Sequence, residues 1–240
     1  MAIRHDQGIV LRTYPLGEAD RIVVLISPRN GKVRAVAKGI RKTKSRFGGR
    51  LEPLTHVEVV LYEGRSLDTL TQASVIEAHP RLRADLDKVL AAGTMVEAID
   101  AVTQESESSV RAFLLLQRGL RALEHSDLHP DLVTAFLLRL ADVVGVAPAL
   151  ESCAGCGRLD GLDRFSFAAG GVLCARCRTP GAYPLRDGLV PYLAALAGAD
   201  LAHLPVADPA LCGDALGVTR RFVEYHLDRR LESLTAVADA

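Results

Sequence analysis

The chain contains no tryptophan and only two methionines, and aromatic residues make up 5% of its 240 residues. No run of about 18 apolar residues occurs, so the sequence predicts no transmembrane helix and no membrane partner. The first residues, Met1 to Gln7, are polar and lack the apolar segment of a secretory signal, so we expect a cytoplasmic protein. In that reducing compartment, the five cysteines favour a metal site or free thiols over disulfides.

Sequence motifs of common catalytic sites are also absent. The chain has no G-x4-G-K-[ST] phosphate loop, no G-x-G-x-x-G after a strand, no G-x-S-x-G and no H-E-x-x-H. Its seven histidines are scattered, and we interpret each of them as structural. The sequence therefore predicts a protein that is not an enzyme.

Charge is distributed unevenly along a chain whose formal net charge is zero. Residues 1–80 hold 13 Lys/Arg and 8 Asp/Glu, which gives a local charge of +5. Residues 81–240 hold 16 Lys/Arg and 21 Asp/Glu, which gives −5. A segregated positive region is typical of binding to nucleic acid or to an acidic partner.

Five runs rich in β-branched and aromatic residues predict strands within residues 1–80. They lie at Gly8–Tyr14, Arg21–Ile26, Lys32–Lys38, His56–Tyr62 and Leu67–Ile76. Five short strands in this length favour a small closed barrel, with an OB-fold as the leading interpretation. The pattern alone also permits an SH3-like barrel.

The rest of the chain predicts helices with one compositionally different piece between them. Apolar residues keep helical spacing through residues 81–150, and helical patterns resume after residue 184. Residues 151–184 are rich in cysteine and glycine and lack this periodicity. We therefore predict an α+β protein with a barrel domain at 1–80, a helical domain at 81–150 and 185–240, and a cysteine-rich insertion at 151–184.

The cysteine-rich piece contains two C-x2-C pairs separated by 17 residues. The four cysteines are Cys153, Cys156, Cys174 and Cys177. This spacing is typical of a zinc ribbon, in which four thiolates surround one Zn²⁺ and leave no position for a catalytic water. The sequence therefore predicts that residues 151–184 form a zinc finger with one structural zinc ion, whereas Cys212 stands alone and is interpreted as a small buried residue.

A basic segment runs from Arg29 to Arg50 and contains nine Lys/Arg and no Asp or Glu. Strand alternation places the cations of the third strand on one face and its apolar residues on the core face. Such a surface can follow a phosphate backbone, with Tyr14 and Phe47 as candidate stacking faces for bases. The candidate nucleic-acid-binding residues are Lys32, Arg34, Lys38, Arg41, Lys42, Lys44, Arg46 and Arg50.

Charge alone distinguishes neither DNA from RNA nor single strands from duplexes. One alternative is an RNA-binding or transcription-associated protein built from an OB barrel and a zinc ribbon. Another is an adaptor that binds acidic protein tails through its basic face.

Nearly the whole chain resembles the RecO family. The resemblance in the barrel rests on Gly8–Leu11, Gly17–Arg21, Gly31-Lys32, Ala37–Arg41 and Leu51–Leu54. The two cysteine pairs look like the zinc finger of many RecO proteins, and Tyr225–Leu234 resembles the family's closing helix.

This resemblance implies an OB-fold, a helical domain and a zinc finger. It implies binding to single- and double-stranded DNA, annealing of complementary strands, and loading of RecA onto SSB-coated DNA together with RecR. Contact with the SSB C-terminal tail and association with the nucleoid are also implied. The DNA-binding positions of the family fall here on Arg34 and Lys38, with the following loop in support.

Overall fold

The computed structural model describes residues 2–105 and 107–233. The chain divides into two compact units, with the boundary between His125 and Ser126. In the described part of the chain, no helix combines the length and the apolar character needed to cross a membrane.

Five strands close into a barrel in the first unit. They are β1 (Ile3–Leu16), β2 (Asp20–Ser27), β3 (Gly31–Ala37), β4 (His56–Tyr62) and β5 (Asp68–Glu77). The strand order is β1-β2-β3-β5-β4, with β4 paired back to β1. Strands β3 and β5 are parallel, and the other pairs are antiparallel. The barrel is OB-like, which confirms the predicted fold class.

Strand alternation fills the barrel with small and branched apolar side chains. The core cluster consists of Val10, Val23, Leu25, Val33, Ala35, Ala37, Phe47, Leu51, Val57, Val59, Leu61 and Leu70. The strand bounds follow the prediction closely except in β1, which begins at Ile3 rather than at Gly8. The added residues pair with β4, from Ile3 opposite Tyr62 onwards, and this long-range pairing leaves no signal in the polar local sequence.

Three helices complete the first unit. They are α1 (Pro80–Arg83), α2 (Leu86–Val102) and α3 (Val110–His125). The side chain of Asp85 caps α2 by accepting hydrogen bonds from the backbone N–H groups of Asp87 and Lys88, at 3.0 and 3.2 Å. Helix α3 packs on α2 and on β1 and β2, so these helices share a compact unit with the barrel. The finer division predicted at residues 80, 150 and 184 stays a prediction.

The second unit combines three helices with a small sheet. Its elements are α4 (Leu132–Val143), β6 (Leu162–Ser166), β7 (Gly171–Cys174), β8 (Tyr183–Pro184), α5 (Leu189–Gly198) and α6 (Pro209–Leu227). Helix α4 packs against both α5 and α6. Phe165 of β6 meets Phe222 of α6 edge to face, at 5.8 Å between ring centroids, so the cysteine-rich piece packs on the helices.

The last predicted helix is shorter in the structure. Helix α6 ends at Leu227, because Asp228 adopts a left-handed backbone with φ of 48°. Leu231, which was predicted to belong to this helix, is buried beyond its end. Leu234, the last residue of the resemblance to a closing helix, lies outside the described residues.

Candidate nucleic-acid interface and metal centre

The basic segment occupies strand β3 and the loop that follows it. Val33, Ala35 and Ala37 are buried in the barrel, as the alternation predicts. Arg34 is exposed and Lys32 is half-buried on the opposite face of the strand. This arrangement gives the barrel one outward row of cations along β3.

The loop from Lys38 to Arg50 carries most of the exposed positive charge. Its exposed cations are Lys38, Arg41, Lys42, Lys44, Arg46 and Arg50. Within residues 2–105 and 107–233, none of these six forms an ion pair with a carboxylate. The loop is anchored near its start, where the N–H of Gly39 donates to Asp20 Oδ1 at 2.7 Å and the N–H of Arg41 donates to the Ala19 carbonyl at 3.0 Å. The start of the loop is therefore held against the barrel.

Phe47 corrects one part of the sequence interpretation. Its side chain is 1% exposed and belongs to the barrel core, so it is not a stacking face for bases. The Arg46 guanidinium lies 5.0 Å from the centroid of this ring. Tyr14 is 40% exposed, with the Arg12 guanidinium 5.2 Å from its ring, and its role in stacking stays a prediction.

Carboxylates from helix α2 and the segment after it meet the cations of β3. Lys32 Nζ lies 2.9 Å from Asp100 Oδ1, and Arg12 pairs with the other oxygen of the same carboxylate. Arg34 Nη1 lies 3.3 Å from Glu105 Oε1. The β3 face is therefore partly neutralised within the protein, which sequence reasoning missed because these partners lie far apart along the chain.

The four cysteines of the two C-x2-C pairs come together in the second unit. All four Sγ atoms lie within 4.8 Å of one another, and Cys156 Sγ is 3.8 Å from Cys174 Sγ. Four thiolates around a tetrahedral zinc ion, each at a distance of about 2.3 Å, place their sulfurs about 3.8 Å apart. The cluster therefore fits one metal ion, and all four cysteines are free thiols.

Local structure explains how the cysteine pairs converge. Cys153 begins a tight turn in which the N–H of Gly157 donates to the Cys153 carbonyl at 2.8 Å. Gly157 has a φ of +74°, a conformation that favours glycine. Cys174 ends β7, and a short 3₁₀ turn carries the chain from there to Cys177.

Backbone polarity also suits a metal ligand at Cys153. The N–H of Cys174 donates to Cys153 Sγ at 3.4 Å. This hydrogen bond is the main cause that lowers the pKa of the Cys153 thiol to about 6. A lowered thiol pKa favours the thiolate, which is the form that binds metal. Cys212 does not join the cluster. It is buried, as predicted, and its sulfur lies near the Tyr192 hydroxyl.

Comparison with known families agrees with this architecture. The family model "Recombination protein O N terminal" matches residues 1–79, and "Recombination protein O C terminal" matches residues 83–235. The chain belongs to the RecO family. The resemblance inferred from the sequence is thereby confirmed.

RecO proteins of several bacteria match the chain over nearly its whole length, and each carries the name "DNA repair protein RecO". The protein of Nocardioides sp. is 45% identical over 241 residues, covering 97% of this chain and 98% of its own. That of Frankia casuarinae is 43% identical over 237 residues, covering 98% of each chain. That of Thermobifida fusca is 41% identical over 243 residues, covering 100% of each chain.

Proposed function

We propose that this chain acts in DNA repair as a recombination mediator that binds single- and double-stranded DNA through its basic segment. The observation that carries the proposal is the row of six exposed cations from Lys38 to Arg50, none paired with a carboxylate of the described residues, on an OB-like barrel. Membership in the RecO family, whose compared members are named DNA repair proteins, supports the choice of DNA.

The proposed mechanism is electrostatic and involves no bond chemistry. Cations that contact phosphates release condensed counterions, which favours binding without regard to base sequence. Neutralised backbones repel each other less, so two complementary strands can approach and anneal. The exposed loop supplies most of these contacts, with Arg34 beside it. Lys32 contributes less than the sequence predicted, because Asp100 already holds its ammonium group.

Family membership supports the wider role as well. The chain would work with RecR to load RecA onto SSB-coated DNA, and it would contact the C-terminal tail of SSB. These partners need surfaces away from the DNA, and residues 81–240 carry a local charge of −5 that would keep DNA from spreading over them. In this role the chain is an adaptor for DNA and proteins rather than an enzyme.

The cysteine cluster would hold one structural Zn²⁺. Its four sulfurs lie within 4.8 Å of one another, which supports a shared metal ion, and thiolate ligands favour zinc over harder cations. Four protein ligands leave no open position for water, so the ion would stabilise the fold around the two cysteine pairs.

Charge-reversal variants test the proposed DNA interface. We expect Arg34→Glu with Lys38→Glu, and separately Lys42→Glu with Lys44→Glu, to weaken both DNA binding and strand annealing. Arg65→Glu is the matched control, because Arg65 is an exposed barrel cation outside the basic segment. Fluorescence anisotropy with labelled oligonucleotides measures binding, and an excess of unlabelled RNA tests the choice of nucleic acid. Wild-type binding by both double variants would remove the basic segment from the interface.

A further inference from the structure

An acidic segment of the first unit lies directly on the β3 face. The N–H of Lys32 donates to the Gln104 carbonyl at 3.0 Å, and Glu105 forms backbone bridges with Gly31 and Lys32. The Ser108 hydroxyl donates to the Pro28 carbonyl at 3.1 Å. The backbone at Gln104 and Glu105 is thus held beside the outward cations of β3, and Ser108 is tied to the turn before β3.

The two carboxylates on this face have very different surroundings. Asp100 is 8% exposed, and it pairs with Lys32, whose side chain is 15% exposed, and with Arg12. Separating the Lys32 ammonium group from this buried carboxylate would leave an uncompensated charge, which is strongly destabilising. Asp100 therefore keeps Lys32 paired whether or not a ligand is present.

Glu105 is different because its contact with Arg34 is open to solvent. The side chains are 51% and 42% exposed, and the contact is 3.3 Å long. Exposed ion pairs of this kind contribute little free energy because water and salt compete with them. A phosphate group can accept two parallel hydrogen bonds from a guanidinium, so it can replace a singly bonded carboxylate at Arg34.

We propose that Glu105 is a built-in competitor of phosphate for Arg34, which lowers the affinity of the β3 face for nucleic acid. This inference rests on the proposed function, because it concerns how tightly the same face binds DNA. In the free protein, Glu105 occupies the Arg34 guanidinium. Nucleic acid displaces the carboxylate side chain while the backbone of the segment stays in place. Glu105 therefore weakens binding modestly, because a phosphate that reaches Arg34 must first displace it.

A double-mutant cycle tests this competition. Binding of a labelled poly-dT oligonucleotide is measured for the wild type, Glu105→Gln, Arg34→Gln and the double variant. Glu63→Gln is the matched control, because it removes one exposed negative charge from the same barrel, at the end of β4 rather than beside Arg34. Thermal unfolding of each variant checks that the fold is kept. Glu105→Ala is a second substitution that also removes the carboxylate from Arg34.

We expect Glu105→Gln to tighten binding about two- to fivefold, which is the range that an exposed ion pair supports. In the Arg34→Gln background, the same change should do no more than Glu63→Gln does. An equal gain in both backgrounds would overturn the inference, because the effect would then come from net charge alone. No gain from Glu105→Gln, with binding still weakened by Arg34→Gln, would overturn the competition while leaving the proposed interface standing. Absence of wild-type binding at low salt would remove both.

Discussion

Two buried histidines are expected to make the first unit sensitive to acid. His56 of β4 and His79, just before α1, are 2% and 3% exposed. His56 Nε2 lies 3.0 Å from Gln7 Oε1, and its ring meets Phe113 edge to face. Burial is the main cause that lowers the pKa of both imidazoles below their ordinary value of 6.5, although Glu77 opposes the shift in each case. Both side chains are therefore neutral in the folded protein at neutral pH.

This burial predicts how stability depends on pH. Below about pH 6.5 the unfolded chain binds protons that the folded chain resists, so the free energy of unfolding falls as pH falls. We expect the melting temperature to decrease between about pH 7 and pH 5, and to decrease less in a variant with His56→Gln and His79→Gln. The same slope in wild type and variant would show that other groups cause the acid sensitivity.

At the residue scale, the sequence predicted candidate site residues where their spacing along the chain defines the site. The two C-x2-C pairs identified the four clustered cysteines, and the run without acidic residues identified the exposed loop. It was not informative where the partner is distant. Lys32 and Asp100 are 68 residues apart in the sequence, and no local pattern predicts that they form an ion pair. The burial of Phe47 was missed for the same reason, because only the closed barrel shows that its side chain packs in the core.

The turn between β2 and β3 depends on a glycine at Gly31. Its φ is +59°, and a Cβ there would overlap the carbonyl oxygen of Glu107. Gly17 has the same φ of +59° but open space around its Cβ position. A comparison of alanine variants at the two positions therefore distinguishes the cost of the left-handed backbone, which both share, from the cost of a steric overlap, which only Gly31 has.

We expect Gly17→Ala to lower the free energy of unfolding by about 1 kcal/mol, which is the cost of the left-handed conformation. Gly31→Ala should cost clearly more, because the backbone carbonyls of Gln104 and Glu107 must also move. Urea unfolding of both variants measures the difference. Equal losses would show that these carbonyls do not pack tightly on the turn.

The elements that hold the cysteines should depend on metal. We expect purified protein to contain one zinc ion per chain by elemental analysis, and a chelator to lower its melting temperature. Cys153→Ala should abolish the bound metal and lower stability in the same way. Cys212→Ala is the control, because this cysteine is buried outside the cluster and should leave the metal content unchanged. Metal-free protein with wild-type stability would contradict the structural role.

At the scale of elements, local sequence patterns predicted most of the secondary structure. Alternation and turn residues located all five barrel strands, and His56–Tyr62 agrees with β4 at both ends. The pattern failed at ends that depend on the tertiary structure. Pairing with β4 extends β1 back to Ile3, and the left-handed conformation of Asp228 ends α6 before the apolar pattern does.

At the scale of the whole molecule, the segregation of charges along a chain with no net charge is compatible with the DNA binding that we propose. The first 80 residues carry +5 and the remainder −5. The sequence made this division visible, and the order of motifs identified the family. What it could not show is that α2 and the segment after it place Asp100 and Glu105 on the same barrel face. The structure thus shifts the proposed interface from the β3 strand towards the loop at residues 38–50.

The salt dependence of DNA binding tests this account most directly. Anisotropy of a labelled poly-dT oligonucleotide is measured across a salt series for the wild type and for the variant with Lys42→Glu and Lys44→Glu. If about five phosphates are covered, the logarithm of the binding constant should fall against the logarithm of salt concentration with a slope of about −3.5. The variant should show weaker binding and a shallower slope. Absence of binding at low salt, or binding that salt does not weaken, would contradict the claim that the basic segment is a DNA interface.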